Sequence, residues 1–237
     1  LCNVPDDLPR GVSLEMLSVV ADAVTTPYEA MTRAEIGPDD LVVVVGVGGI
    51  GGFAVQIAAS FGAAVVAIDV DDTRLDLASS HGATLAMNPK TTALKGMKDA
   101  IRSLTRKSGR GHLGSKIFEM SGTAAGQQTA FGLLDFGSYL AVVGYTAEKV
   151  EVRLSNLMAF DATARGNWGC APIHYPKALA LVLEGKVQLD PYIEVHPFDA
   201  LPELFDAAHR HALRRRAIVT PGVRIAAVAQ AVQETTA

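Results

Sequence analysis

The chain has 237 residues, 49% hydrophobic but only 6% aromatic, with a formal net charge of −4; that balance suits one or two α/β domains and leaves no basic footprint for nucleic acid. No apolar stretch reaches the roughly 20 residues that cross a bilayer, and residues 1–10 do not read as a signal peptide. Cys2 and Cys170 lie far apart and form neither a disulfide framework nor a paired metal motif, so a reducing cytoplasm is the expected compartment.

Ser13 to Val20 is apolar enough for a buried helix or strand. Thr26-Pro27-Tyr28-Glu29 has the pattern of a capping box with proline at the first helical position, opening a helix that should stop at Gly37-Pro38. Leu41 to Val45 is a wholly apolar, β-branched run followed at once by Gly46-Val47-Gly48-Gly49-Ile50-Gly51 and then by a small-residue helical segment, Phe53 to Phe61. A second apolar strand, Ala64 to Ile68, ends in Asp69, eighteen residues past Gly51. Strand, glycine turn, helix and strand ending in an acid make the dinucleotide-binding βαβ pattern.

Each part of that pattern has a chemical reason. Gly46 permits the sharp turn out of the strand, Gly48 lets a diphosphate approach bare main chain, and Gly51 allows helix and sheet to close up. The helix beginning near Gly49 and Ile50 points its amides and dipole at the phosphates. Asp69 stands where a carboxylate accepts the hydroxyls of the adenosine ribose and repels the extra phosphate of NADP, which favours NAD.

Downstream, Asp71 should cap a helix over Asp72 to Ser80, with Gly82 as its stop. Thr84 to Met87 is a short strand, Thr92 to Lys107 a charged amphipathic helix, and Ser108 to Ser115 a glycine-rich loop. A strand over Lys116 to Met120, a helix over Thr123 to Leu134 and a strand over Ser138 to Val143 continue the alternation. Such alternation predicts an α/β fold, a Rossmann doubly wound parallel sheet. The character changes after about Asn167: a helix over Tyr175 to Leu183, a strand over Tyr192 to Val195, a helix over Leu201 to His211 and a strand over Ala217 to Thr220. This tail is long for a dinucleotide domain alone and is expected to pack elsewhere. The alanine-rich residues 222–237 have no evident role, and the chain contains no internal repeat.

The glycine motif, Asp69 and the stretch Val20-Ala21-Asp22-Ala23-Val24-Thr25-Thr26-Pro27-Tyr28 resemble the C-terminal two-thirds or so of zinc-dependent medium-chain alcohol dehydrogenases, from Ser18 to Pro221. The resemblance implies that residues 1–22 are a remnant of a catalytic domain, 23–167 an NAD-binding Rossmann domain, and 168–237 the return segment of the catalytic domain and tail. The family's upstream zinc motifs have no counterpart here, so the chain resembles a fragment. Asp22 occupies the position of the family's last protein ligand to the catalytic zinc; a helix cap or solvated charge is the plain alternative.

Cofactor positions carry over likewise. Thr26 matches a threonine beside the nicotinamide ring, and Arg74 a basic residue over the adenosine ribose, against the alternative of an exposed helix arginine. Ser121-Gly122 and Val143-Gly144 match loops lining the cofactor crevice. Arg216 matches a pyrophosphate-binding arginine, its fixed donor fork suiting a diphosphate, although a triple-arginine run such as Arg214-Arg215-Arg216 is more often a solvated face. His81, His112, His174, His196, His209 and His211 show no paired ligand spacing and read as surface or structural residues.

A narrower resemblance, in residues 18–28, 119–126 and 149–170, is to the 6-hydroxycyclohex-1-ene-1-carbonyl-CoA dehydrogenases of anaerobic benzoyl-CoA breakdown. It implies a small-molecule substrate, an acyl-CoA alcohol, with zinc polarising the hydroxyl and hydride passing to NAD. Arg106, Lys107 and Arg110 are candidate CoA contacts, but a charged loop is usually just solvated. The alternatives are another alcohol or polyol dehydrogenase of the superfamily, and a catalytically silent NAD-binding module. A homo-oligomer is expected, since the family often pairs cofactor domains edge to edge, with Ser138 to Val143 near such an edge.

Overall fold

The computed structural model describes residues 2–110, 114–210 and 212–221. His112, His211 and residues 222–237 lie outside them, as does part of the expected loop at 108–115. A 3-10 helix, Met16–Ala21, leads into α1, Thr25–Arg33. Then come β1 (Leu41–Val45), α2 (Gly51–Ser60), β2 (Ala64–Ile68), α3 (Asp72–Ser80), β3 (Leu85–Met87) and α4 (Leu94–Ser108). After these follow β4 (Lys116–Glu119), α5 (Ala124–Gly132), β5 (Tyr139–Val142), α6 (Ser155–Ala159) and β6 (Thr163–Gly166). The chain continues through α7 (Tyr175–Leu183), β7 (Ile193–Pro197), α8 (Leu201–His209) and β8 (Arg216–Thr220).

The six strands β1 to β6 form one parallel sheet in the order β3-β2-β1-β4-β5-β6. Side chains alternate across a strand, so β1 feeds two layers: Val42 and Val44 join the core under α1 and α2, while Leu41, Val43 and Val45 join the core under α4 and α5. All five are buried, which is why this strand reads as an unbroken apolar run rather than an alternating one. The strand order reverses between β1 and β4, and the crevice at their carboxyl ends is where such sheets bind ligands.

Several expectations need correction. The capping box at Thr26 does not form: α1 starts at Thr25 with Val24 as an uncapping N-terminal neighbour. The Thr26 amide instead donates to the Asp22 carbonyl at 2.9 Å, and Glu29 is drawn inward to the Arg33 guanidinium (2.6 Å) and the Ala171 amide (3.4 Å). The helix also stops at Arg33, ahead of Gly37, where Glu35 turns left-handed at φ 53°.

The outermost strand is β6, which the sequence does not announce, so the stretch Ser138 to Val143 is one strand in from the edge. All four residues of β6 are exposed, and its Thr-Ala-Arg-Gly composition carries no apolar signal. The return segment, finally, packs on the dinucleotide unit itself. Leu179, Val182, Tyr192, Ile193 and Ile218 share the core of β1 and α2. The Tyr192 ring lies against Gly52, where a Cβ would come within 2.1 Å of it, and Gln56 pairs with the Gln188 backbone through bonds of 3.1 and 2.7 Å. The strands β7 and β8 pair parallel as a separate two-stranded sheet.

Candidate functional site

A cavity of about 1050 Å³ opens at the carboxyl ends of the central strands, walled by Gly46, Gly48, Gly49, Asp69, Arg74 and Ser121 among others. The backbone leaves β1 at Gly46 with φ 86°, and its amide donates to the Ile68 carbonyl at 2.7 Å. A Cβ there would lie 2.5 Å from the Ser121 backbone, so only glycine lets the two turns touch. Ile50 flanks α2 without a side-chain cap. Among the described residues the amides of Gly48, Gly49 and Ile50 find no protein acceptor. Unspent donors at the start of a ten-residue helix are an arrangement that suits an anion, by hydrogen bonding and dipole together.

Asp69 caps this arrangement from the end of β2. Its carboxylate accepts from the Val47 amide at 2.8 Å and the Asp71 amide at 3.0 Å while only 6% exposed, so the acid and the glycine turn are mechanically one unit. Asp71 caps α3 as expected, accepting from the Thr73 amide. Arg74 on α3 is no freely solvated arginine: Nη2 donates to the Leu213 carbonyl at 3.2 Å, Nη1 lies beside Gly48, and Nε is buried without a hydrogen-bond partner.

The remaining predicted residues form two neighbouring groups outside that wall. In the first, the Asp22 carboxylate accepts from the Thr26 hydroxyl at 3.0 Å and from Arg216 Nη2 at 2.6 Å; the aliphatic stem of Arg216 passes close to Gly49 of the turn. In the second, Val143 and Gly144 follow β5, their amides donating to the Glu119 carbonyl at 3.0 and 2.9 Å.

Glu119 escaped the sequence reading, although an acid closing the apolar strand Ile117-Phe118-Glu119 was a usable signal. It is 1% exposed; Oε1 accepts from the Ser121 amide and hydroxyl, and Oε2 is buried without a partner. Burial pushes its carboxyl above the usual carboxylate range, against the opposing pull of the Ser121 hydroxyl and the Ser121, Gly122 and Gly144 amides. A carboxyl raised on folding favours the native state below its unfolded value of 4.5 and withdraws that support as pH climbs. The melting temperature of Glu119→Gln should therefore gain on the wild type from about pH 4 to pH 8; a pH-independent gap between the two would refute the buried-charge account.

Cys170 is chemically quiet. Burial first, and the Glu29 carboxylate second, push the Cys170 thiol up to about 11, so it stays protonated at neutral pH. Among the described residues no group of three His, Cys, Asp or Glu side chains is placed to hold a metal ion. Asp22, the single candidate ligand, already spends one oxygen on a guanidinium and the other on a hydroxyl. The residues present therefore do not assemble a zinc site, which needs three protein ligands.

Residues 49–184 match the zinc-binding dehydrogenase family. An alcohol dehydrogenase of Geobacillus stearothermophilus is 27% identical over 212 residues, spanning 90% of this chain and 60% of the relative. The crystal structure of the alcohol dehydrogenase from Aeropyrum pernix superposes with a TM-score of 0.77 at 26% identity, covering 90% of this chain and 61% of that one. Acetophenone reductase from Geotrichum candidum, solved with NAD, shares the fold at a TM-score of 0.76 and 21% identity, covering 91% and 58%. The chain thus spans about 60% of the length of the relatives it matches.

Proposed function

The chain belongs to the zinc-binding dehydrogenase family, and from that premise we propose that it binds NAD and serves hydride transfer from a secondary alcohol to that cofactor. The observation that carries this reading is the turn Gly46 to Gly51, whose Gly48, Gly49 and Ile50 amides have no protein acceptor among the described residues and which lines a cavity together with the Asp69 carboxylate bonded to it. The diphosphate rests on the Gly48, Gly49 and Ile50 amides, Asp69 takes the adenosine ribose, and Arg74 covers it. Ser121, Val143, Gly144 and Thr26 flank the nicotinamide half, and Arg216 reaches the diphosphate from β8. In this reading residues 23–167 are the cofactor domain, while residues 1–22 and 168–237 belong with the substrate side.

The chain's own contribution to the reaction is placement. It fixes the dinucleotide along the switch point of the sheet so that the nicotinamide is presented at a constant position. The described residues do not hold zinc. The expected result is that the 237-residue chain binds NADH by calorimetry and contains no stoichiometric zinc by atomic absorption. One firmly held zinc per chain, or no heat with NADH, would overturn this reading.

At finer grain, the substrate we favour is 6-hydroxycyclohex-1-ene-1-carbonyl-CoA, oxidised to the 6-oxo product. That substrate is supported by sequence similarity in residues 18–28, 119–126 and 149–170; none of the last group lines the cavity. The exposed strand β6 suits edge-to-edge pairing with a second copy, because an unpaired row of N–H and C=O groups is a template for another strand.

A further inference from the structure

We propose that Asp22 is a positioning residue for the dinucleotide, acting through Arg216 and Thr26, and that its carboxylate serves this role rather than metal ligation. The inference rests on the NAD-binding reading above. Asp22 and Arg216 are 194 residues apart in sequence. They meet because β8 returns to the mouth of the sheet, and the guanidinium closes on Asp22 Oδ2 at 2.6 Å while the Arg216 stem stays beside Gly49. The same carboxylate receives the Thr26 hydroxyl on Oδ1 at 3.0 Å. One acid thereby ties an arginine beside the glycine turn to the threonine at the start of α1.

The chemistry of the pair explains why it is there. The side chains are 35% and 57% exposed, so the ion pair adds little to folding; surface pairs are screened by water and salt. An arginine side chain that reaches partly into solvent nevertheless has many rotamers, and ordering it at the moment of binding costs affinity. A carboxylate that already holds one arm of the guanidinium removes part of that cost and leaves the remaining N–H donors for an anion. The role is thus specific to the cofactor, and stability should hardly register it.

The test is a double-mutant cycle on the whole chain, with NADH affinity by fluorescence titration and melting temperature without cofactor. Asp22→Asn keeps an oxygen for Thr26 but discards the charge; Arg216→Gln removes the guanidinium. Each single change should weaken NADH binding by about tenfold, and the double variant should be no weaker than Arg216→Gln alone. The melting temperature of Asp22→Asn should stay within about 2 °C of wild type. Additive affinity losses, or unchanged NADH binding in Asp22→Asn, would overturn the proposal while leaving the NAD-binding reading intact. So would a zinc-induced rise in melting temperature in the wild type that Asp22→Asn abolishes, since that marks Asp22 as a metal ligand. Absence of NADH binding by the wild type would instead remove the reading on which the proposal rests, and the proposal with it.

Discussion

Asp69→Ala is expected to weaken NADH binding by about 10- to 100-fold and NADPH binding far less. Hydrogen bonds to a charged group contribute roughly 1.5–3 kcal/mol each when their loss leaves a partner unsatisfied, and tenfold in affinity corresponds to about 1.4 kcal/mol. Two separate effects are folded into the NADH loss. The Val47 and Asp71 amides lose the oxygens they donate to at 2.8 and 3.0 Å, which loosens the glycine turn for any dinucleotide. The ribose hydroxyls lose their acceptor, and this second loss is specific to NADH. With NADPH the first effect is offset by relief of repulsion between the carboxylate and the extra phosphate. Parallel titrations with both cofactors separate the two: the shared loss measures the turn, and the difference measures the ribose contact. Equal loss for both would confine Asp69 to holding the turn.

The second large effect is expected at Gly51. A Cβ at this position would lie 1.8 Å from the Gly46 carbonyl oxygen and 2.8 Å from its carbon. Gly46 cannot retreat easily, because its amide is held by Ile68 and its Cα is packed on Ser121. Gly51→Ala must therefore push α2 away from β1, opening the diphosphate site and spoiling the packing of Phe53 and Ile57, both fully buried. Overpacking of this kind costs about 1–3 kcal/mol or more, which in a chain of this size lowers the melting temperature by roughly 2–12 °C. NADH binding should fall below detection. Gly37→Ala is the matched control, since a Cβ there meets nothing within 4 Å, and it should melt within about 2 °C of wild type. Similar melting curves for the two variants would mean that the helix–strand contact is not as tight as the geometry requires.

The readable parts of this protein are those whose signal is local. The strands β1 and β2 are buried on both faces by helices, so burial must be continuous and the sequence shows runs of Val, Ala and Ile with the same bounds as the strands. The glycine turn and Asp69 lie at a fixed offset because the geometry of one βαβ unit sets it. By contrast, β6 is invisible: its four residues are exposed among the described residues, so no apolar side chain marks the strand. The Thr26 capping box failed for a related reason. Its Glu29 satisfies the local pattern, but the carboxylate goes to Arg33 one turn along the helix and to the distant Ala171 amide, while the Thr26 amide is taken by the Asp22 carbonyl.

Sequence alone determined the fold class, the glycine turn after β1 and the acid that bonds to it, because each depends on residues within one supersecondary unit whose spacing the backbone enforces. Tertiary structure decided that Asp22 and Arg216 pair, where the segment after Asn167 packs, and that Glu119 is sealed beneath the loops of β4 and β5. Those outcomes arise from contacts between distant parts of the chain. Their energies hinge on burial and on which of several possible partners a charge meets, and neither is written in the spacing of residues along the chain.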